Sequence, residues 1–259
     1  LMLGAIDTPN VILGLTTNSS EVGIYHVAFK LSMFAAVSLM AINSIASPKF
    51  AEMFGKNDME GFKKVVHQST KMIFWATLPL VIIFFIFPEF FLGWFGDGEE
   101  FKIGVTAFIF LSCGRLISSF SGSVGNILQM TGNQNIYALI LSFGAILNVV
   151  LNLILIPRYG INGAAISTLI VLFSFTILKV FYINYKLNIQ PYNRNTIKIL
   201  LIVCALYLSI NYIGFEYSAL IDIVLRSLIV SIIYLGLIYY LGLSKNINQT
   251  IKSIFSKHL

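Results

Sequence analysis

Twenty-one consecutive residues, Ile136 to Ile156, carry no charge. As a helix rising about 1.5 Å per residue, this run reaches roughly 30 Å, the depth of a bilayer's hydrocarbon. In lipid a backbone must satisfy its own polar groups, and a helix does so within one segment. The run sits inside a longer stretch, Asn126 to Thr168, NILQMTGNQNIYALILSFGAILNVVLNLILIPRYGINGAAIST. That stretch reads as the end of one apolar helix, a polar turn, a whole apolar helix, a Pro-Arg-Tyr-Gly turn and the start of another helix. The rest of the chain repeats the theme. Charged residues make up 11% and hydrophobic residues 57%, where a soluble domain carries about 25% charged residues. The predicted fold class is therefore all-α, a polytopic membrane protein of about eight transmembrane helices.

The predicted spans follow in order. The first covers residues 1–16 and the second 21–47, stopped by Pro48, which removes a rung of the backbone ladder. Asp58 to Gln68 is amphipathic, with Met59, Phe62, Val65 and Val66 on one side, and predicts a short helix on the membrane surface. A third span runs over 72–87 and a fourth over 101–130. The fifth is 136–156, the sixth 161–185, the seventh 196–213 and the eighth 219–243. Residues 1–186 are expected to form a six-helix transporter lobe, and 187–259 two additional helices with a tail. Leu1 opens the chain with no basic n-region before it, so no signal peptide is read here and the chain is expected to be a piece of a longer protein.

Basic residues orient the spans. With the N-terminus in the cytoplasm, inner connections hold Lys49, Lys56, Lys63, Lys64, Lys71, Lys186, Arg194, Lys198, Lys245, Lys252 and Lys257. Outer connections hold only Lys102 and Arg158. The positive-inside rule then places both ends in the cytoplasm. The net charge of +6 reflects these loops, with no cluster of exposed aromatics that would suit nucleic acid.

Catalytic patterns are missing from the sequence. His26, His67 and His258 are scattered, no pair has metal-ligand spacing, and neither a phosphate loop nor a nucleophile elbow occurs. No enzyme activity, metal or cofactor is expected. Cys113 and Cys204 lie in apolar segments and imply no disulfide framework.

The informative residues are ionisable groups inside spans, where an unpaired charge facing lipid is costly. Asp7 stands beside Pro9; it reads either as a cavity-facing acid at a coupling-ion site or as an acid near a truncated end or paired to a neighbour. Lys30 lies nine residues, roughly 13 Å, along the second helix from Glu21. It reads as facing a water-filled cavity, or as part of a structural pair or snorkelling. Arg115 is near the middle of the fourth span among Ser112, Ser118, Ser119 and Ser121, and a guanidinium suits phosphate recognition. Lys179 can snorkel toward the cytoplasmic side, and Arg226 follows Asp222 at helical pair spacing. Asn148 and Asn152 are one turn apart on the fifth span; they read as an interhelical hydrogen-bonding pair or as a polar track along a substrate path. Ser118, Gly122 and Gly125, then Gly163 and Ser167, have the spacing of close helix packing.

ILQMTGNQ followed by LNVVLNLILIPRYGINGAAIST resembles the C-terminal half of bacterial polysaccharide flippases. These belong to the multidrug/oligosaccharidyl-lipid/polysaccharide exporter superfamily. EVGIYHVAFKL after an Asp-bearing helix, and PKFAEMF beyond it, are similar to the same family. The resemblance covers most of residues 1–186. It implies two six-helix lobes around a central cavity, of which this chain is the second lobe with two extra helices, the N-terminal lobe being missing. It also implies flipping of an undecaprenyl-pyrophosphate-linked oligosaccharide across a bacterial inner membrane, as in surface polysaccharide, lipopolysaccharide or O-antigen export. Membrane lipids and a coupling ion, H⁺ or Na⁺, would be the other partners. Lys30 matches a basic position in the family's eighth helix, where a cation would meet the lipid pyrophosphate. A drug exporter of the same superfamily, or a membrane-embedded glycan polymerase, is the alternative.

Overall fold

The computed structural model describes residues 2–95 and 100–190, with the backbone course alone for 2–7 and 100, and further on residues 221–222, 225–229, 232–233 and 236. Every regular element among the described residues is helical. The chain divides into two compact units, Leu1–Tyr192 and Asn193–Leu259. The predicted seventh span and most of the eighth lie outside the described residues.

The first unit opens with α1 (Met2–Thr16) and α2 (Ser19–Phe34). The predicted second span is broken: α2 gives way to α3 (Val37–Gly55) at a bend of 45°. The Ser32 hydroxyl donates to the Phe29 carbonyl at 2.7 Å, and short i to i−3 bonds from Ala35 and Ala36 close the turn. Serine back-bonding of this kind bends helices. Pro48 does not end the helix, contrary to the sequence reading. α3 runs through it to Gly55 and stops before Asn57, which has a positive φ of 56°. The lost backbone bond is offset by packing, because Phe50 is fully buried and meets Phe62 edge-on at 5.8 Å.

α4 (Met59–Ile86) is one continuous helix, started by Asp58, whose Oδ1 accepts from the Gly61 N–H at 2.9 Å. The predicted surface helix over Asp58–Gln68 is thus the first part of a span. Its apolar side has a partner inside the protein: Phe62 and Val66 are fully buried in a cluster with Phe50, Val124, Ile127 and Ile183. A surface helix would need lipid to cover that side; here α3 packs along α4, and the buried cluster encloses it.

Beyond α5 (Pro88–Gly93) and a 3-10 helix (Glu100–Gly104), the predicted fourth span also breaks. α6 (Val105–Phe120) and α7 (Val124–Met130) are separated by the turn Ser121–Gly122–Ser123. Gly122 has φ +52°, and a Cβ on it would collide with the Thr70 side chain. Glycine is the residue that fits both conditions.

α8 (Gln134–Leu187) holds the predicted fifth and sixth spans as two arms. The reversal is at Gly160 (φ 54°, ψ −132°), three residues after Pro157. Gly144 lies against Phe175 and Gly163 against the Leu155 carbonyl, so the arms run antiparallel with backbones close together. α6 packs along α8, as do α1 and α7, while α2 and α4 flank α6.

A second apolar cluster forms toward the Gly160 end of the bundle from Leu13, Tyr25, Phe29, Phe108, Leu111 and Ile161. α4, the segment Phe101–Phe120 and α8 are each long and apolar enough to cross a membrane, and α2 with α3 adds a fourth if the bent pair is one span. α8 folds back on itself and so supplies two membrane-deep arms. The protein is a multi-pass, all-α membrane protein.

Candidate functional site

Between the two apolar clusters the bundle interior turns polar. Ser32, Ser69, Thr70, Thr77, Ser112, Ser119, Ser121, Asn148, Asn152 and Ser167 are all buried there. Arg115 occupies this belt, on α6. Its Cζ sits 5.1 Å from the centroid of the Phe29 ring on α2, a cation–π contact. Tyr25, one turn earlier on α2, lies within electrostatic reach of the guanidinium. The Tyr25 hydroxyl pairs with Thr168 Oγ1 of α8 at 3.2 Å. Thr168 gives its own hydrogen to the Ala164 carbonyl at 3.0 Å, so Tyr25 is assigned as the donor.

Among the described residues, two buried atoms on α6 have no hydrogen-bond partner: Arg115 Nε and, one turn earlier, Ser112 Oγ. Arg115 also has no carboxylate partner among the described residues. Arg115 as a whole is half-buried with its Nε enclosed, and an enclosed N–H without a partner can be satisfied by an anion or by water.

Lys30 is not gathered into this cluster. It follows Phe29 on α2 but turns outward, exposed, with no hydrogen bond or ion pair to the described residues. The Lys30 stripe of α2 also carries Ser19, Gly23 and His26 and, one turn past Lys30, Phe34, all exposed. The first arm of α8 presents a contrasting exposed surface of Leu139, Phe143, Ile146, Val150, Leu153 and Ile154. That surface suits acyl chains; a stripe bearing His and Lys suits water.

Asn148 and Asn152 form a closed network. Asn152 Nδ2 donates to Asn148 Oδ1 at 2.8 Å, and the Ser167 hydroxyl donates to Asn152 Oδ1. Asn152 and Ser167 are fully buried and Asn148 nearly so, so in this conformation the group joins the arms of α8 and faces no open surface. Asp7 lies within α1, with its side chain outside the described residues.

Lys179 departs from the sequence reading. Its ammonium does not snorkel toward the cytoplasmic end; Nζ donates to Ser121 Oγ at 3.2 Å, at the break between α6 and α7. Ser123 in the same break donates to Ser69 at 3.1 Å. The sequence shows a lysine in a span, while the hydroxyl that meets it lies in a helix break that hydropathy does not reveal. In the second unit, Arg226 and Asp222 form the predicted pair, Nε to Oδ1 at 2.8 Å. Among the described residues no group of three or more His, Cys, Asp or Glu could hold a metal ion.

The family model described as MatE matches residues 3–154, a region that takes in α1 to α7 and the first arm of α8. The chain belongs to the MatE family. MatE proteins of the exporter superfamily are membrane transporters, not enzymes. Similar relatives include "Uncharacterized membrane protein MJ1068" of Methanocaldococcus jannaschii, 29% identical over 99% of this chain and 50% of the relative. "Probable low-salt glycan biosynthesis flippase Agl15" of Haloferax volcanii is 25% identical over 69% of this chain and 38% of its own length. "Probable flippase AglR" of the same organism is 24% identical over 62% of this chain and 34% of its own length. The chain spans about half the length of MJ1068 and less of the others. No solved structure matches it. In this MatE chain Arg115, whose Nε has no partner among the described residues, lies on α6, inside the matched region.

Proposed function

We propose that this chain forms one wall of a flippase for lipid-linked glycan. The whole transporter would carry an oligosaccharide on a polyprenyl pyrophosphate of the undecaprenyl type, from the inner to the outer leaflet of a bacterial cytoplasmic membrane. The observation that supports this most directly is Arg115: a guanidinium inside the bundle, stacked on Phe29, with Nε unpartnered and no carboxylate partner among the described residues. The relatives named as glycan flippases support the class of cargo.

The mechanism follows from charge and solvation. A pyrophosphate cannot enter hydrocarbon without neutralisation. Lys30, exposed on α2, meets the headgroup first; Arg115 behind it stabilises the anion as the cavity closes. The polyprenyl tail stays in lipid along apolar surfaces such as that of α8. A second lobe of the same protein completes the cavity, and the lobes rock in alternating access. A coupling ion, H⁺ or Na⁺, is part of the proposal, with Asp7 in α1 as its acid. Asn148 and Asn152 serve the path by holding the α8 hairpin in register.

A drug exporter for cationic compounds fits the same fold less well, because Lys30 and Arg115 repel such cargo. The test is Lys30→Ala and Arg115→Ala in the full-length protein, at matched protein level. Both are expected to reduce export of surface polysaccharide. Wild-type export from both variants removes the assignment.

A further inference from the structure

The outward stripe of α2 carries a second group beside Lys30. His26 precedes it by four residues, so the two side chains stand one helical turn apart on one face, about 6 Å between their Cβ atoms. Both are exposed, and neither makes a hydrogen bond or ion pair with any described residue. Gly23, three residues earlier on the stripe, is exposed too, and a Cβ built there meets nothing within 4 Å. The opposite side of α2 is fully committed: Ile24, Tyr25, Ala28 and Phe29 pack inward against α6 and α8. The stripe is therefore fixed in direction by its own back face.

A lone lysine does not distinguish one phosphate from two. An ammonium is a compact point charge that satisfies a single phosphate group. Two donors one turn apart can each take an oxygen from a different phosphorus of a diphosphate, whose phosphate groups are bridged by one oxygen and lie close together. A monophosphate reaches one of them well. His26 supplies a ring N–H for this purpose, and Gly23 leaves room beside it for the bulk of the headgroup.

We propose that His26 is a specificity-determining residue, paired with Lys30, that makes this surface prefer a diphosphate-bearing lipid over a monophosphate-bearing one. The inference rests on the flippase reading and adds to it which headgroup chemistry the outer stripe selects. The occupant is the diphosphate head of a polyprenyl lipid, by charge complementarity with a stripe that carries a cation and a second donor and, among the described residues, no carboxylate.

The test uses the full-length protein in lipid nanodiscs, with farnesyl diphosphate and farnesyl monophosphate as probes. Wild type is expected to bind the diphosphate more tightly. His26→Ala is expected to narrow that preference roughly tenfold, the scale of one charge-assisted hydrogen bond, with monophosphate binding unchanged. His26→Lys is expected to restore the preference. Lys30→Ala is expected to weaken both probes. An unchanged preference in His26→Ala, with Lys30→Ala weak for both probes, overturns this inference and leaves the flippase reading standing. Wild type binding neither probe overturns the flippase reading, and this inference with it.

Discussion

Lys179 and Ser121 meet at 3.2 Å, Nζ donating to Oγ, where the second arm of α8 crosses the break between α6 and α7. One contact thus ties a cation of one span to an interrupted helix. The sequence separates the two residues by 58 positions. Ser121 lies in that interruption, next to Gly122, which turns the chain with φ +52° beside Thr70.

That contact should register as a coupling energy. Lys179→Ala and Ser121→Ala are each expected to lower the thermal stability of the purified protein. The double variant is expected to lose less than the sum, by about 0.5–2 kcal/mol. Strictly additive losses in a double-mutant cycle on unfolding free energy would show that the contact does not hold.

Gly122→Ala should be worse than an ordinary surface change. The new Cβ meets Thr70 and the backbone stays left-handed. A loss exceeding about 1 kcal/mol is expected. Adding Thr70→Ala should recover only part of it, because the collision is relieved while the backbone penalty remains. Full recovery in a melting experiment would mean the φ value carries no cost.

Asn152→Ala leaves Asn148 and Ser167 without their shared partner inside the α8 hairpin. About 1–3 kcal/mol of destabilisation is expected, the cost of stranding buried polar groups. Transport per folded molecule should change little. A variant of normal stability with abolished transport would instead place Asn152 in contact with cargo.

Arg115 offers a separation of charge from shape. Arg115→Lys keeps a cation but loses the planar stack on Phe29 and the forked donors. Export is expected to fall between wild type and Arg115→Ala. Phe29→Leu, which keeps an apolar back to the guanidinium, is expected to retain more export than Arg115→Ala. Export in Arg115→Lys no better than in Arg115→Ala would assign the whole effect to geometry.

Hydropathy alone determined where this protein lives and what kind of elements build it. Uncharged runs of membrane depth such as Ile136–Ile156 leave the backbone one economical solution, the helix, and Gly160 lies where a chain leaving the bilayer must reverse. ILQMTGNQ and LNVVLNLILIPRYGINGAAIST resemble the exporter family, and the first of them falls within the match over 3–154 that shows the family. The tertiary structure decided where helices bend and which way their polar groups look. Pro48 reads as a stop, yet Phe50 packing on Phe62 carries α3 past it. Asp58–Gln68 reads as a surface helix, yet α3 packs along α4 and the apolar cluster buries Phe62 and Val66. Lys30 and Arg115 read alike as charges in spans, yet one turns outward from α2 and the other is enclosed against Phe29. The difference is physical: hydropathy sums over a window and fixes depth, whereas direction depends on neighbours that come from distant parts of the chain.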